Sequence, residues 1–71
     1  MGKSELSNNI RKLRFEHDEM TQQKLADTTG VTRQTIIAIE QGKYTPSLSL
    51  GFKISAAFNI KIEDVFTFQG Q

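Results

Sequence analysis

Residues Gln22 to Gln41 read QQKLADTTGVTRQTIIAIEQ, and the punctuation of this stretch decides the fold. Thr21, just ahead of it, can cap a helix with its hydroxyl oxygen, and Gly30 suits the left-handed conformation in which helices commonly stop. Between them Leu25 and Ala26 turn inward. After a short turn Thr32 can cap again, and from Arg33 to Glu40 the residues Ile36 and Ile39 lie three apart on one helical face before Gly42 breaks the run. Two short helices joined by a tight turn are therefore expected. One isoleucine is surplus to the core of the second helix, because Ile37 points roughly 100° away from Ile36. Arg33 and Gln34 come just before it. An arginine, a glutamine and an isoleucine are thus left on the outside of one short helix.

Working outward, Leu6, Ile10 and Leu13 recur at helical spacing and predict a first helix that ends in the polar run EHDE, residues 16 to 19. Pro46 and Ser47 open a fourth helix that carries Leu48, Ile54, Ala57 and Phe58 inward. It stops at Asn59, one of the few non-glycine residues that tolerates a left-handed backbone. A last helical turn holds Ile62, Val65 and Phe66, with Glu63 and Asp64 at its start, where negative charge complements the helix dipole. The final TFQGQ alternates weakly and is compatible with a short C-terminal strand. The reading is all-α, with five short helices.

The 71 residues make one domain, residues 1–71, near the lower size limit for a core without staples. There is no cysteine, which excludes disulfides and thiolate metal sites and suits a reducing cytoplasm. The N-terminus lacks a basic run followed by an apolar core, and no apolar stretch approaches the ~20 residues that span a bilayer. A cytoplasmic protein without a membrane partner is expected. The net charge is only +1, but residues 21 to 53 hold Lys24, Arg33, Lys43 and Lys53 against Asp27 and Glu40, so an anion-binding face belongs in the middle of the chain.

His17 lies in FEHDE beside three carboxylates, yet metal ligands on a helix need spacings of three or four, and these residues are consecutive. No metal site is expected there. No nucleophile elbow, phosphate loop or carboxylate dyad is present either, so neither an enzyme nor a cofactor is expected.

The stretch from Gln22 to Gln41 resembles the helix-turn-helix of the Cro/CI-type (Xre) regulators, with Ala26 at the helix crossing, Gly30 in the turn and Ile36 and Ile39 in the core. EQGKYTPSLSLGFKISAAFNIKIEDVF is similar to the rest of that family's five-helix, lambda-repressor-like DNA-binding domain. The resemblance therefore runs from about Leu6 to Phe66, and is strongest to small single-domain members that resemble the enterococcal cytolysin repressor. Three departures stand out. One extra residue separates Arg14 from Gln22, so the loop at Asp18 and Glu19 is longer. Gly51 stands where alanine is usual, which weakens a helix by up to ~1 kcal/mol. Lys61 cannot cap the fifth helix as serine would.

A major groove about 12 Å wide admits one helix, whose N-terminal residues reach base edges. Arg33 can donate two bonds to guanine, Gln34 can pair with adenine, and Ile37 can cover a thymine methyl, with the small Ala38 allowing close approach. Backbone contacts are expected from Gln22, Thr32, Thr35, Lys43, Tyr44 and Ser47. Capping alone would also explain Thr32, and the Tyr44 ring could instead pack on its own loop. The resemblance further implies an ion pair of Arg14 with Glu40 that fixes the third helix to the scaffold.

The resemblance implies a sequence-specific regulator of transcription, a repressor, that binds a double-stranded DNA operator. A single short helix makes few contacts, so a homodimer reading two half-sites is expected, with Val65, Phe66 and Phe68 supplying its interface. The alternative is an antitoxin-like protein-interaction module whose main work is holding a protein partner and that also binds its own promoter.

Overall fold

The computed structural model describes residues 5–68. Strand β1 (Leu6–Asn8) leads into helices α1 (Ile10–Glu16), α2 (Gln22–Thr29), α3 (Arg33–Glu40), α4 (Leu48–Phe58) and α5 (Ile62–Val65), and strand β2 (Phe66–Phe68) follows. β1 and β2 pair antiparallel, with Leu6 opposite Phe68 and Asn8 opposite Phe66, so a ribbon ties the two ends of the helical array together. The expected C-terminal strand thus begins one residue earlier than its alternation suggested. Its residues 69–71 lie outside the described residues.

The first helix differs from its expectation. Leu6 shares helical spacing with Ile10 and Leu13 but belongs to β1, because two asparagines divert the chain between them. Asn8 Oδ1 accepts a bond from the Ile10 N–H at 3.2 Å. The Asn9 N–H donates to the carbonyl of Val65 at 2.9 Å, and Asn9 Nδ2 donates to that of Asp64 at 3.2 Å. Asparagine side chains compete with helix in this way wherever they offer the backbone another partner. Helix α1 can begin only after them.

Three hydroxyl caps set the later helix starts. Thr21 Oγ1 accepts from the Lys24 N–H at 3.0 Å, Thr32 Oγ1 from Thr35 at 3.2 Å and Ser47 Oγ from Leu50 at 3.1 Å. Each such cap contributes ~1 kcal/mol. The stops are equally local: Gly30 and Gly42 have φ of 78° and 74°, and Asn59 has φ of 59°. At Gly42 the turn places its own N–H on Ile39 O and that of Lys43 on Ala38 O, closing the end of α3. Helix α5 has no side-chain cap at Lys61. It is held instead from its far end, by the two bonds from Asn9 and by Val65.

Ile10, Leu25, Ala26, Ile36, Ile39, Leu50, Ile54, Phe58 and Val65 form one buried cluster to which all five helices contribute. Burying each large side chain contributes ~1.5–3 kcal/mol. Phe66, expected in the last helical turn, instead begins β2, and two apolar residues differ in burial from their expected places. Leu48 is 72% exposed: it shares a helical stripe with the buried Gly51 and Ser55, but at the first position of α4 that stripe runs out beyond the core. Val65 is fully buried in the core, so it has no free surface to offer a partner subunit.

Gly51 also acquires a reason. A Cβ there would lie 3.1 Å from Ile62 Cδ1, tighter than ordinary contact, so the glycine lets α5 pack close against α4. The lengthened loop after α1 turns by placing both Asp18 and Glu19 in the left-handed region, at φ of 57° and 52°, and closes with the Met20 N–H on Arg14 O at 2.8 Å.

Candidate nucleic-acid interface

Helix α3 is anchored on one side and open on the other. Ile36 and Ile39 are buried, Thr35, Ile37 and Ala38 are half-buried, and Arg33 and Gln34 are exposed at the N-terminal end. At about 100° per residue the eight residues of α3 cannot all face one core, so fixing the pair at 36 and 39 turns 33, 34, 37 and 38 away from it.

A polar network sets how α3 sits. Arg14 Nε donates to Glu40 Oε2 at 2.7 Å, and its Nη2 to Glu40 Oε1 at 3.2 Å, which is a two-pronged guanidinium-carboxylate contact. The same guanidinium donates from Nη1 to Met20 O at 2.8 Å, bracing the long loop. Gln22 Nε2 donates to Glu40 Oε1 at 3.2 Å. One carboxylate thereby links the end of α3 to α1 and to the start of α2. The pair is largely shielded, its side chains 15% and 9% exposed, so water screens it less than a surface pair. A second tie was not foreseen: Asn8 Nδ2 donates to Ile39 O at 2.9 Å, occupying a carbonyl at the end of α3. No short-range pattern signals it, because the partners are far apart in sequence.

In front of this network lies an open cleft of about 750 Å³ whose walls include Arg11, Arg14, Gln22, Arg33, Ile37 and Glu40. The structure thus gathers three of the expected residues, Gln22, Arg33 and Ile37, at one place. Ile37 borders this cleft together with Thr21, Gln22 and Gln23 from the start of α2. Gln22 is partly engaged, because one of its amide hydrogens goes to Glu40; the other remains to donate. Arg11 is an addition, and its spacing of three from Arg14 on α1 was the signal that could have found it.

Lys43, Tyr44 and Ser47 are not in this cleft. They follow the C-terminal end of α3, where Lys43 is exposed and Ser47 caps α4. Tyr44 is 49% exposed, and its neighbourhood includes Asn8, Ile39, Pro46 and Phe66, so part of the ring packs on the ribbon. The Thr32 hydroxyl is occupied twice, by the Thr35 N–H and, at 3.0 Å, by the Thr35 hydroxyl. His17 is placed structurally: its ring meets Phe58 edge-on at 5.1 Å, and its Nδ1 lies 3.0 Å from Leu13 O. Among the described residues no group of acidic, histidine or cysteine side chains could hold a metal ion.

A family profile described as "Helix-turn-helix" matches residues 10–65, which run from the first residue of α1 to the last of α5. The chain belongs to this helix-turn-helix family. Its relatives include an uncharacterised HTH-type transcriptional regulator of Methanocaldococcus jannaschii, 52% identical over 64 residues that cover 90% of this chain and 96% of the relative. Another is the uncharacterised HTH-type transcriptional regulator YgzD of Bacillus subtilis, 51% identical over 61 residues, covering 86% of this chain and 91% of the relative. In shape the chain is similar to a crystal structure of a proposed DNA-binding protein from Bacteroides fragilis, at a TM-score of 0.75 and 22% identity, covering 87% of this chain and 98% of that one. The helix-turn-helix itself is α2, the turn at Gly30 and α3. Both strands of the ribbon lie outside the matched residues, so the ribbon is joined to the helix-turn-helix unit through Asn8, Asn9 and Val65.

Proposed function

We propose that the chain is a sequence-specific DNA-binding regulator of transcription that lays α3 in the major groove of a double-stranded operator. The observation that carries this reading is the exposed Arg33 and Gln34 at the N-terminal end of α3, backed by a buried face and a shielded ion pair that hold the helix rigidly. Arginine and glutamine are the side chains that read guanine and adenine by paired bonds, and Ile37 and Ala38 add an apolar surface for a thymine methyl. Gln22, Thr35, Lys43 and Tyr44 serve the backbone on either side. The regulator acts in the cytoplasm as a repressor, since occupying an operator excludes other proteins from it and needs no further surface.

Two copies act together. An apolar groove of about 460 Å³ lies between α4, α5 and the ribbon, with Leu6, Pro46, Leu48, Ile62, Phe66 and Phe68 among its walls. Leu48 and Phe68 project at its rim, 72% and 62% exposed. A second copy of the chain fits this surface, because a two-fold contact sets the same patch against itself, with projecting side chains beside a recess that can receive them. Phe66 and Phe68 keep their proposed interface role, and Leu48 takes the place of Val65.

Selecting bound sequences from a random duplex library tests the reading. Enrichment of a two-fold symmetric site, with half-sites about one helical turn apart, is the expected result. Recovery of unbiased sequence would sink it.

A further inference from the structure

We propose that Arg11 is a DNA-backbone residue, and that the cleft between α1, the start of α2 and α3 receives a phosphodiester group of the strand flanking the bases read by α3. The inference rests on the reading of α3 given above and extends the footprint of that helix onto α1.

Three arginines, Arg11, Arg14 and Arg33, line the cleft with one acidic residue, Glu40. Its carboxylate is already taken by Arg14 at 2.7 Å. Among the described residues neither Arg11 nor Arg33 has a carboxylate within ion-pair distance. Two cationic side chains therefore border one open cleft without a carboxylate of the described residues within ion-pair distance. Like charges held in one concavity repel each other and raise the local concentration of anions. Both residues are exposed, so folding does not use them.

Shape and chemistry then select the anion. The cleft is open along one side and continuous with the face of α3 that carries Arg33 and Ile37, so whatever lies against α3 passes its mouth. A duplex laid there presents phosphates beside its base edges, and a planar guanidinium can give a phosphate two parallel bonds. Gln22 completes the arrangement. With one amide hydrogen donated to Glu40 Oε1 at 3.2 Å, its amide is held in place with the second hydrogen free to donate. Lys12, next to Arg11 on α1, provides an internal comparison. It lines a separate recess with Asn8, Asn9 and Phe15, in which Arg11 also takes part, and does not border the cleft.

The test compares Arg11→Ala, Arg11→Lys, Lys12→Ala and Arg33→Ala with the wild-type chain, titrating a library-selected duplex and a random duplex at two salt concentrations. Thermal unfolding of each variant confirms that the fold is retained. Arg11→Ala should weaken both duplexes alike, about three- to fivefold at moderate salt, and lower the slope of log affinity against log salt by ~0.9 per subunit. Arg11→Lys should keep most of that slope, because it keeps the charge. Lys12→Ala should leave both slope and affinity near wild type. If Arg11→Ala binds both duplexes with an unchanged slope while Arg33→Ala still loses the selected one, the cleft holds no phosphate and the reading of α3 stands. If Arg11→Ala loses only the selected duplex, or Lys12→Ala matches it on both, the assignment of Arg11 to the backbone is overturned. If the wild-type chain binds neither duplex, the reading of α3 fails and this inference fails with it.

Discussion

Two of the concave surfaces among the described residues differ sharply in chemistry. The cleft in front of α3 is lined mainly by arginines and glutamines around one satisfied carboxylate, with Thr21 and Ile37 among them, whereas the groove between α4, α5 and the ribbon is lined mainly by leucine, isoleucine, proline and phenylalanine, with Ser47, Glu63 and Thr67 among them. Their foundations differ too. The wall behind the cleft is a charged network that fixes α3 by geometry. The floor of the groove is set by close packing, with Gly51 admitting Ile62. A surface that keeps unpaired cations in water is suited to a polyanion, and one that keeps phenylalanine and leucine in water is suited to an apolar partner. The proposed division of labour follows: DNA on the first surface and a second subunit on the other.

Substitutions can break that division at either side. The largest effect is expected from Glu40→Ala, which strands the charge of Arg14 and releases Gln22. Breaking a well-shielded pair costs ~3–5 kcal/mol, and the partial exposure here places the expected loss at ~2–3 kcal/mol in urea unfolding. Stability within error of wild type would show that the network does not hold α3.

Arg33→Ala should leave stability unchanged and cost ~1–3 kcal/mol per half-site on the selected duplex, with little loss on random DNA. Equal losses on both would reduce Arg33 to a backbone contact. On the other surface, Leu48→Glu should barely change the melting temperature, since the side chain is exposed. It should weaken self-association at least tenfold, about 1.4 kcal/mol, as measured by sedimentation. Dimers as tight as wild type would remove the groove from the interface.

Ile37→Ala sharpens the boundary of the cleft. Ile37 is half-buried, so the substitution should cost under ~1 kcal/mol of stability, well below the ~2–5 kcal/mol of a core isoleucine. Preference for a T·A pair should fall, and replacing that thymine by uracil should reproduce the loss from the DNA side. A large drop in stability would return Ile37 to the core.

What could be read in advance was whatever the chain settles locally. Thr21, Thr32 and Ser47 cap within three residues of themselves, and Gly30, Gly42 and Asn59 stop helices through their own backbone angles. The helix-turn-helix is made almost entirely of such signals. The ribbon is not. Leu6 carries a helical spacing to Ile10, and it becomes a strand through the bonds that Asn8 and Asn9 make and through pairing with Phe68, from the far end of the chain.

The same limit explains the remaining differences. Val65 looked available because it follows the four-helix core in sequence, and it is buried because Asn9 draws α5 back onto that core. Leu48 looked buried because it is apolar and shares a stripe with Gly51 and Ser55, but the end of a helix can extend past the core that its middle covers. In the cleft, Arg33 and Ile37 were legible from the wheel of one helix. Arg11 came into view only when α1 was placed beside α3.

The contrast between the two surfaces can be tested in one titration. Backbone amide resonances of the wild-type protein, kept at a concentration where it is already self-associated, would be followed while the selected duplex is added. The account predicts shifts concentrated at Thr32 to Ala38, around Gln22 and Arg11, and at Lys43 to Ser47, with Ile62 to Phe68 little changed. Shifts centred on Ile62 to Phe68, with Arg33 to Ala38 silent, would contradict it.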